Sequence, residues 1–372
     1  MSAAAAPAPA LARFKGGNES YGALVWRRMR RSTSGMAGLC LVALVILTAI
    51  FAEFTAPDDP YRADINFSRP DTVSFVDADG SYSIYPRIYP IVDSDQLDPV
   101  TFQPIAGPDM AHPHYMGFFN KGAPYKLFGL IPGDRHFFGA VDGFPAHLLG
   151  TDKFGRDILS RGIYGSRLSL MIALVVVSIT TVVGTSIGLF SGYVGGPFDT
   201  WFQRFGDLVL AFPQLPLYLA LTSLIPITAP TSVFLAFVIF VLAALGWAQL
   251  SREVRSKTLA LARVDYVKAA VAVGAGDGRI IFQHILPNVV SHIIVAVTLQ
   301  IPAVVLLESF LGYLGFAVKP PLISWGLMLQ DCGEFSVIGS YPWILSPVGF
   351  VLVTVFAFNA LGDGLRDAVD PY

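Results

Sequence analysis

Residues 265–288 read DYVKAAVAVGAGDGRIIFQHILPN, and they lie between two apolar blocks, Val233–Leu250 and Val289–Leu314. Each block has roughly the 20 mostly apolar residues that a helix needs to cross a bilayer. The segment between the blocks carries most of the charges in this part of the chain. The stretch therefore predicts a water-exposed loop that joins two membrane-spanning helices.

Two short helices with a bend are predicted inside this loop. Ala269 and Ala270 have almost no side chain, so a helix that carries them can lie deep in a groove on a partner protein. Gly274 can adopt the positive φ that ends such a helix and turns the chain. Asp277 then falls in the first turn of a second helix, where a negative charge suits the helix dipole. Pro287 is expected to separate this second helix from the next span.

Four more apolar blocks raise the number of predicted spans to six. The chain is 53% hydrophobic and 14% charged, whereas an ordinary soluble domain is roughly 25% charged. A net charge of −2 leaves no large basic surface for nucleic-acid phosphates. We therefore expect a multi-pass membrane protein with no nucleic-acid partner, and we expect Cys40 and Cys332 to stay unpaired. The additional blocks are Met36–Ala52, Leu168–Phe190, Leu208–Ile225 and Ile344–Leu361.

Charge placement predicts the orientation of these spans. Four arginines between positions 27 and 31 precede the first span, and basic residues accumulate on the cytoplasmic side of membrane proteins. Counting from a cytoplasmic N-terminus puts the loop 251–288 in the cytoplasm, where six basic residues outnumber three acidic ones. The predicted organisation has both termini in the cytoplasm. It consists of a cytoplasmic segment 1–35, span one over 36–54, an external insertion 55–165 and a membrane core 166–372.

The insertion contains one predicted β-hairpin and two weak metal-binding patterns. Val73–Phe75 and Tyr82–Ile84 flank Asp77-Ala-Asp-Gly80, whose glycine suits a tight turn. The Asp-x-Asp-Gly order also resembles part of a calcium loop, but the remaining ligands of such a loop are missing. His112 and His114 have no nearby cysteine or histidine partner that would complete a zinc site. We expect a plain turn and a solvated loop, with no metal.

Prolines and one carboxylate stand out within the spans. Pro213, Pro302 and Pro347 each remove a backbone donor, as Pro216 also does, so kinks are expected there. Pro213, Pro302 and Glu308 are candidates for the translocation path. Glu308 lies near the external end of span five and is expected to reach interfacial water.

The loop resembles the EAA loop of ABC-type importer permeases. In the family pattern an acidic residue and two alanines are followed by three residues, a glycine, nine residues and a final x-x-Leu-Pro, and Ala269, Ala270, Gly274 and Pro287 match this spacing. Lys268 stands at the acidic position of the pattern. The resemblance implies a coupling helix that docks on an ATPase subunit. The residues that it assigns to this docking are Asp265, Tyr266, Lys268, Ala269, Ala270, Gly274, Asp277, His284, Leu286 and Pro287.

Three further stretches resemble the second permease of dipeptide and oligopeptide importers. They are LGTDKFGRDILSRGIYGSRLSL at 149–170, ESFLGYLGF at 308–316 and LGDGLRDAVDP at 361–371. The resemblance implies an all-α fold, the transmembrane domain of a type I ABC importer with six helices and a cytoplasmic coupling loop. The external insertion with its β-hairpin is longer than the family usually shows.

The resemblance also implies partners. The chain has no Gly-x-x-x-x-Gly-Lys-Ser/Thr phosphate loop, so no cofactor is expected in it, and ATP and Mg would be bound by partner ATPases. No catalytic residues are expected. The implied assembly has a homologous permease, two cytoplasmic ATPases and an external solute-binding protein in a bacterial inner membrane, surrounded by lipid. Peptides are the leading cargo; oligosaccharides, opines, nickel chelates or peptide-like antibiotics are alternatives, as is an ion-coupled secondary transporter.

Overall fold

A computed structural model describes residues 20–63, 68–76, 80–97, 99, 104–226, 228–333 and 335–369. The helices within these ranges form one bundle, and the strands form a separate layer at one of its ends. The helices are α1 (Tyr21–Met29), α2 (Thr33–Ile50), α3 (Ala52–Thr55), α4 (Ile158–Val194), α5 (Gly196–Ala211), α6 (Gln214–Thr222), α7 (Thr231–Leu261), α8 (Asp265–Ala272), α9 (Asp277–Arg279), α10 (Leu286–Tyr313), α11 (Trp325–Gln330), α12 (Phe335–Ser340) and α13 (Ser346–Val369).

Five of the described helical segments are long and apolar enough to cross a membrane, and a bent pair brings the number to six. Five of the six predicted spans are thus confirmed as membrane-capable helices. The kink predicted at Pro213 in the third span is present as a break, at which α5 and α6 meet at an angle of 87°. Phe212 is extended at the break, since Pro213 disfavours helical geometry in the residue before it. Pro347 lies in the first turn of α13 and so kinks no helix interior.

The longest helix, α4, packs along α7 through a stripe of small residues. A Cβ added at Gly188 would lie 2.6 Å from the backbone oxygen of Ser251, and one added at Gly184 would lie 2.9 Å from that of Trp247. Small residues at such spacing let two membrane helices approach to backbone contact. The pairing of α2 with α13 is equally close, because a Cβ at Gly38 would lie 2.4 Å from the Leu361 nitrogen.

The insertion is built mainly from strands. A four-stranded sheet has the order β1-β2-β5-β6, and β3 and β4 form a separate antiparallel pair. The predicted hairpin is confirmed by the antiparallel pairing of β1 with β2, and Gly80 in its turn has φ +77°. The expectation of an all-α chain with one hairpin thus understated the strand content. The strands are β1 (Thr72–Val76), β2 (Tyr82–Tyr89), β3 (Ile91–Leu97), β4 (Pro104–Pro108), β5 (His114–Leu127) and β6 (Ile131–Ala140).

Charged and polar contacts join the start of α4 to the end of α2 and to the residues that follow it. Arg167 forms two hydrogen bonds with the Glu53 carboxylate, at 2.7 and 2.6 Å, and it also donates to the carbonyls of Ala49 and Ile50 at the end of α2. The backbone nitrogen of Asp58 donates to the Ser160 hydroxyl at 3.1 Å. These bonds hold the start of α4 against the end of α2, α3 and Asp58.

A buried histidine completes this junction. Nδ1 of His147 lies 3.4 Å from Oδ1 of Asp157, whose side chain is almost fully buried. Burial lowers the pKa of His147, but the hydrogen bond to Asp157 and the nearby charges of Asp157, Asp71 and Asp58 outweigh it and raise the pKa above its usual value. Burial likewise raises the pKa of Asp58 and of Asp71. All three groups therefore bind protons more tightly in the folded junction than in the unfolded chain.

Candidate functional site

The loop after α7 forms the first of the two short helices that its sequence predicts, α8, but the second, α9, is the start of a longer helix. α8 ends in a Schellman motif, in which the nitrogen of Ala275 donates to Ala270 O at 3.0 Å and that of Gly274 donates to Val271 O at 2.9 Å. Gly274 has φ +82°, a conformation that residues with a Cβ adopt only at a cost. Asp277 begins α9 directly after Gly276, as predicted.

The boundary predicted at Pro287 is wrong. α9 continues through a π-helical turn, Ile280–Ile285, into α10 without a break. Pro287 lies in the first turn of α10. Hydrogen bonding changes in the π-helical turn directly before this proline, where the Leu286 nitrogen donates to Ile281 O, five residues earlier in the chain. The loop is therefore rigidly connected to the span that follows it.

One face of α8 is anchored to the bundle. Val267 is 1% exposed and belongs to a cluster with Ile280, Ile281 and Ile285. The hydroxyl of Tyr266 donates to the carbonyl of His284 at 3.3 Å. Residues that belong to the same cluster on the neighbouring helices are Leu189, Leu250, Val254 and Val289. Sequence reasoning missed Val267 and these isoleucines, although buried positions 281 and 285 are separated by one helical turn.

Polar contacts strengthen the anchor. Nδ2 of Asn288 donates to the His284 carbonyl at 2.7 Å and to the Tyr266 hydroxyl at 3.2 Å. At the bend, Asp277 accepts from the Tyr193 hydroxyl at 3.2 Å, which links it to the end of α4. Asn288 and Tyr193 were not among the predicted site residues. Of the predicted residues, Leu286 is half-buried and packs against the cluster around Val267.

The opposite face of α8 is open to solvent. Asp265 and Lys268 are exposed and lie 3.5 Å apart, and an ion pair so exposed contributes little to stability. Val271 and Val273 leave 52% and 85% of their surface uncovered, and Ala269 is also exposed. The loop therefore has a fixed inner face and an outer face that carries apolar residues beside a charged pair.

A cavity of about 1190 Å³ runs along the bundle between α6, α7 and α10. Its lining near the loop is polar and includes Nε2 of His292, which lies 3.2 Å from Oε2 of Glu253. Toward the other end, the residues of α10 that line it are mostly apolar. The residues that line the cavity include Gln214, Glu253, Lys257, Asn288, His292, Gln300, Ala303, Phe310 and Arg366.

The three residues predicted for the translocation path differ in their relation to this cavity. Pro213 immediately precedes Gln214, and Pro302 lies between Gln300 and Ala303, so both are next to lining residues. The expectation that Glu308 reaches interfacial water is wrong. Glu308 is fully buried, and its Oε2 accepts from the Ser169 hydroxyl at 3.0 Å. It is covered because α11 packs there, with the Trp325 nitrogen donating to the same hydroxyl.

The two histidines considered as metal ligands are each paired with a carboxylate. Nδ1 of His112 lies 2.8 Å from Asp109, and Nδ1 of His114 lies 2.5 Å from Asp142. Within the described ranges, no three histidine, cysteine or acidic side chains come together as a metal site would require. The predicted turn at Asp77 is only partly visible, because residues 77–79 lie outside the described residues.

A bundle of membrane-capable helices, with a two-faced loop at one end and a cavity along it, is typical of a membrane permease. Residues 184–372 match the family described as "Binding-protein-dependent transport system inner membrane component". Residues 20–71 match the "N-terminal TM domain of oligopeptide transport permease C". The chain therefore belongs to this family of inner membrane components, and within it to the OppC type. The family is a permease component of ABC transporters and not an enzyme.

Individual relatives cover most of the bundle. The oligopeptide transport system permease protein OppC of Haemophilus influenzae is 38% identical over 260 residues, 70% of this chain and 78% of that protein. OppC of Bacillus subtilis is 38% identical over 226 residues, 60% of this chain and 72% of its own length. The dipeptide transport system permease protein DppC of Alkalihalophilus pseudofirmus is 40% identical over 226 residues, with the same coverage of 60% and 72%.

Proposed function

We propose that this chain is one of two homologous permease subunits of an ABC importer that carries dipeptides or oligopeptides. The named cargo of the relatives supports peptides as the substrate. An external binding protein delivers the peptide, and two cytoplasmic ATPases that bind ATP and Mg drive its passage. Oligosaccharides, opines, nickel chelates and peptide-like antibiotics remain alternative cargoes, because selection in such importers rests largely with the binding protein.

The observation that carries this proposal is the two-faced loop. Its inner face is anchored through Val267 and Tyr266, whereas Asp265, Lys268 and Val271 are exposed. A partner ATPase that binds the outer face moves α8 and, through the contacts of Val267 and Tyr266 with the π-helical turn, also moves α10. Since α10 lines the cavity, this movement changes the shape of the cavity. That is the mechanical requirement of alternating access.

The cavity supplies one wall of the peptide path. Its polar end near Glu253 and His292 can pair with the charged termini of a peptide, and its apolar end near Phe310 can accept side chains. The homologous permease would supply the opposite wall. Pro213 and Pro302 would act by shaping the helices that present Gln214 and Gln300 to the path.

We further propose that the loop end of the bundle faces the cytoplasm. The four arginines between positions 27 and 31 support this orientation. α1, which contains Arg27 and Arg28, packs against α13, and Arg366 of α13 lines the same cavity as Asn288 of the loop region. Both termini are then cytoplasmic, and the sheet lies outside the inner membrane.

Coupling through the loop is tested with Val271→Asp in the reconstituted complex, because Val271 is 52% exposed and is not part of the buried cluster around Val267. We expect peptide uptake to fall at least tenfold while the subunit stays inserted. Gly274→Pro and Ala270→Trp should abolish uptake in the same way. The matched control is Val141→Asp, since Val141 is 59% exposed but lies on the insertion.

Two results would contradict the proposal. One is full uptake by the Val271 variant, and the other is a detergent pull-down that recovers no ATPase subunit. Uptake by this chain alone, driven by an ion gradient, would instead support a secondary transporter. Mass spectrometry of the ligand that co-purifies with the binding protein distinguishes peptides from the other cargoes.

A further inference from the structure

The β5–β6 hairpin has an apolar tip that projects from the sheet. Phe128, Leu130 and Ile131 leave 52%, 82% and 60% of their surface exposed. These residues are adjacent in the chain and share one turn. Contiguous apolar residues on a protein surface usually mark a contact with another surface.

The tip lies beside the outer end of the first span. The ring centroid of Phe128 is 5.9 Å from that of Phe51, which directly follows α2. α2 has 18 residues, so it is about 27 Å long, close to the roughly 30 Å thickness of the bilayer hydrocarbon. The contact with Phe51 therefore puts the tip where hydrocarbon gives way to headgroups.

The exposed surface of the tip continues a stripe of the membrane span. Leu41, Leu44 and Leu47 are 40%, 57% and 52% exposed at three-residue spacing along α2. The stripe ends at Phe51, and the contact with Phe128 carries it onto the hairpin. Because the stripe belongs to a membrane-crossing helix, the surface that continues it meets the same surroundings.

The backbone geometry of the turn does not favour an aromatic residue at position 128. Phe128 has φ +54° and Gly129 has φ +72°. Glycine or asparagine suits this left-handed region, whereas a bulky residue there is strained. The neighbouring Lys126 is exposed, and a basic side chain next to apolar ones is typical of segments that lie in a membrane interface.

We propose that this tip is an interfacial anchor, which inserts Phe128 and Leu130 among the phospholipids of the outer leaflet while Lys126 reaches their phosphate groups. The anchor holds the lower edge of the sheet at a fixed height. A second set of ring contacts, from Phe54 to Phe119 and Phe137 at 6.0 and 5.9 Å, ties the same strands to α3. The sheet is thus restrained by lipid on one side and by the bundle on the other.

The test measures the depth of a nitroxide label at position 130. Leu130→Cys is made with Cys40→Ala, since Cys332 is buried, and the full chain is reconstituted with its partner subunits in phosphatidylethanolamine–phosphatidylglycerol vesicles. Collisions of the label with oxygen, which concentrates in lipid, are compared with collisions with a water-soluble nickel chelate. Labels at Leu44 and at Val92, which is 48% exposed on β3, are the lipid and water references.

We expect the label at position 130 to favour oxygen over the chelate, as at position 44, and the label at position 92 to show the reverse. Phe128→Asn relieves the backbone strain and removes the aromatic ring, so it should shift the label at position 130 toward water without unfolding the hairpin. Equal access of the chelate at positions 130 and 92 would overturn the proposal. Protection of position 130 from both reagents would overturn it too, because a protein would then cover the tip.

Discussion

Substitutions at Gly274, in the turn after α8, test whether the loop must be rigid to transmit movement to the bundle. Gly274 has φ +82°, and a Cβ added there would meet no atom within 4 Å, so substitutions act through the backbone and not through a clash. An alanine in this region costs about 1–2 kcal/mol, which multiplies the unfolded population of the bend roughly 5–30-fold. Asparagine tolerates the region better. Proline cannot adopt it and also loses the hydrogen bond to Val271 O.

We therefore expect peptide-stimulated ATPase activity of the reconstituted complex to decrease in the order Gly, Asn, Ala, Pro at position 274. Hydrogen exchange of residues 265–275 should accelerate in the same order, because the Schellman bonds open more often. Gly276→Ser is the matched control, since Gly276 has an extended backbone at the start of α9, and serine is a favourable N-cap. If Gly274→Ala matched the native protein in both measurements, the argument that this bend must be rigid would be refuted.

Three further predictions concern the bundle and its junction with the sheet. Gly38→Val should cost about 1–3 kcal/mol by overpacking the contact of α2 with α13, seen as a lower yield of monodisperse protein, whereas Gly349→Ala, with open space around it, should not. Arg167→Lys should lower the melting temperature, because lysine cannot form both hydrogen bonds with Glu53; an unchanged melting temperature would contradict this. The raised pKa of His147 means that its stabilising charge is fully present below about pH 6.5 and is lost as pH rises through the folded value. Hydrogen exchange around it, corrected for intrinsic rate, should thus be faster at pH 8 than at pH 6, and His147→Gln should remove most of this difference.

The sequence predicted the spans well because apolar composition and length are strong signals. The sequence indicates a kink at Pro213 but not the angle of that kink, so the 87° between α5 and α6 could not be predicted. The strands beyond the first hairpin were missed, since β5 contains Gly117, Gly122 and Pro124, which weaken its alternating pattern. The pairing of β5 with β6 depends on contacts that only the folded insertion supplies.

The sequence predicted where the coupling loop lies and how α8 ends, but not the contacts that hold the loop against the bundle. The spacing from Ala269 to Gly274 predicted the helix and its left-handed end, both of which the structure confirms. The anchoring role of Val267 and the hydrogen bonds of Asn288 depend on how the loop folds back on α7 and α10. The error at Pro287 has a physical cause, because the π-helical turn at 280–285 changes the hydrogen bonding directly before the proline, and the helix continues through it.

The length of α4 has a consequence for communication across the membrane. Its first residues contact Asp58 outside the bundle core, and Tyr193 near its last residue contacts Asp277 in the loop. A helix of 37 residues is about 55 Å long, so a tilt of about 5° around its middle displaces each of its ends by roughly 2 Å in opposite directions. A binding protein that contacts the insertion and an ATPase that contacts the loop would therefore both act on the tilt of α4, from its opposite ends.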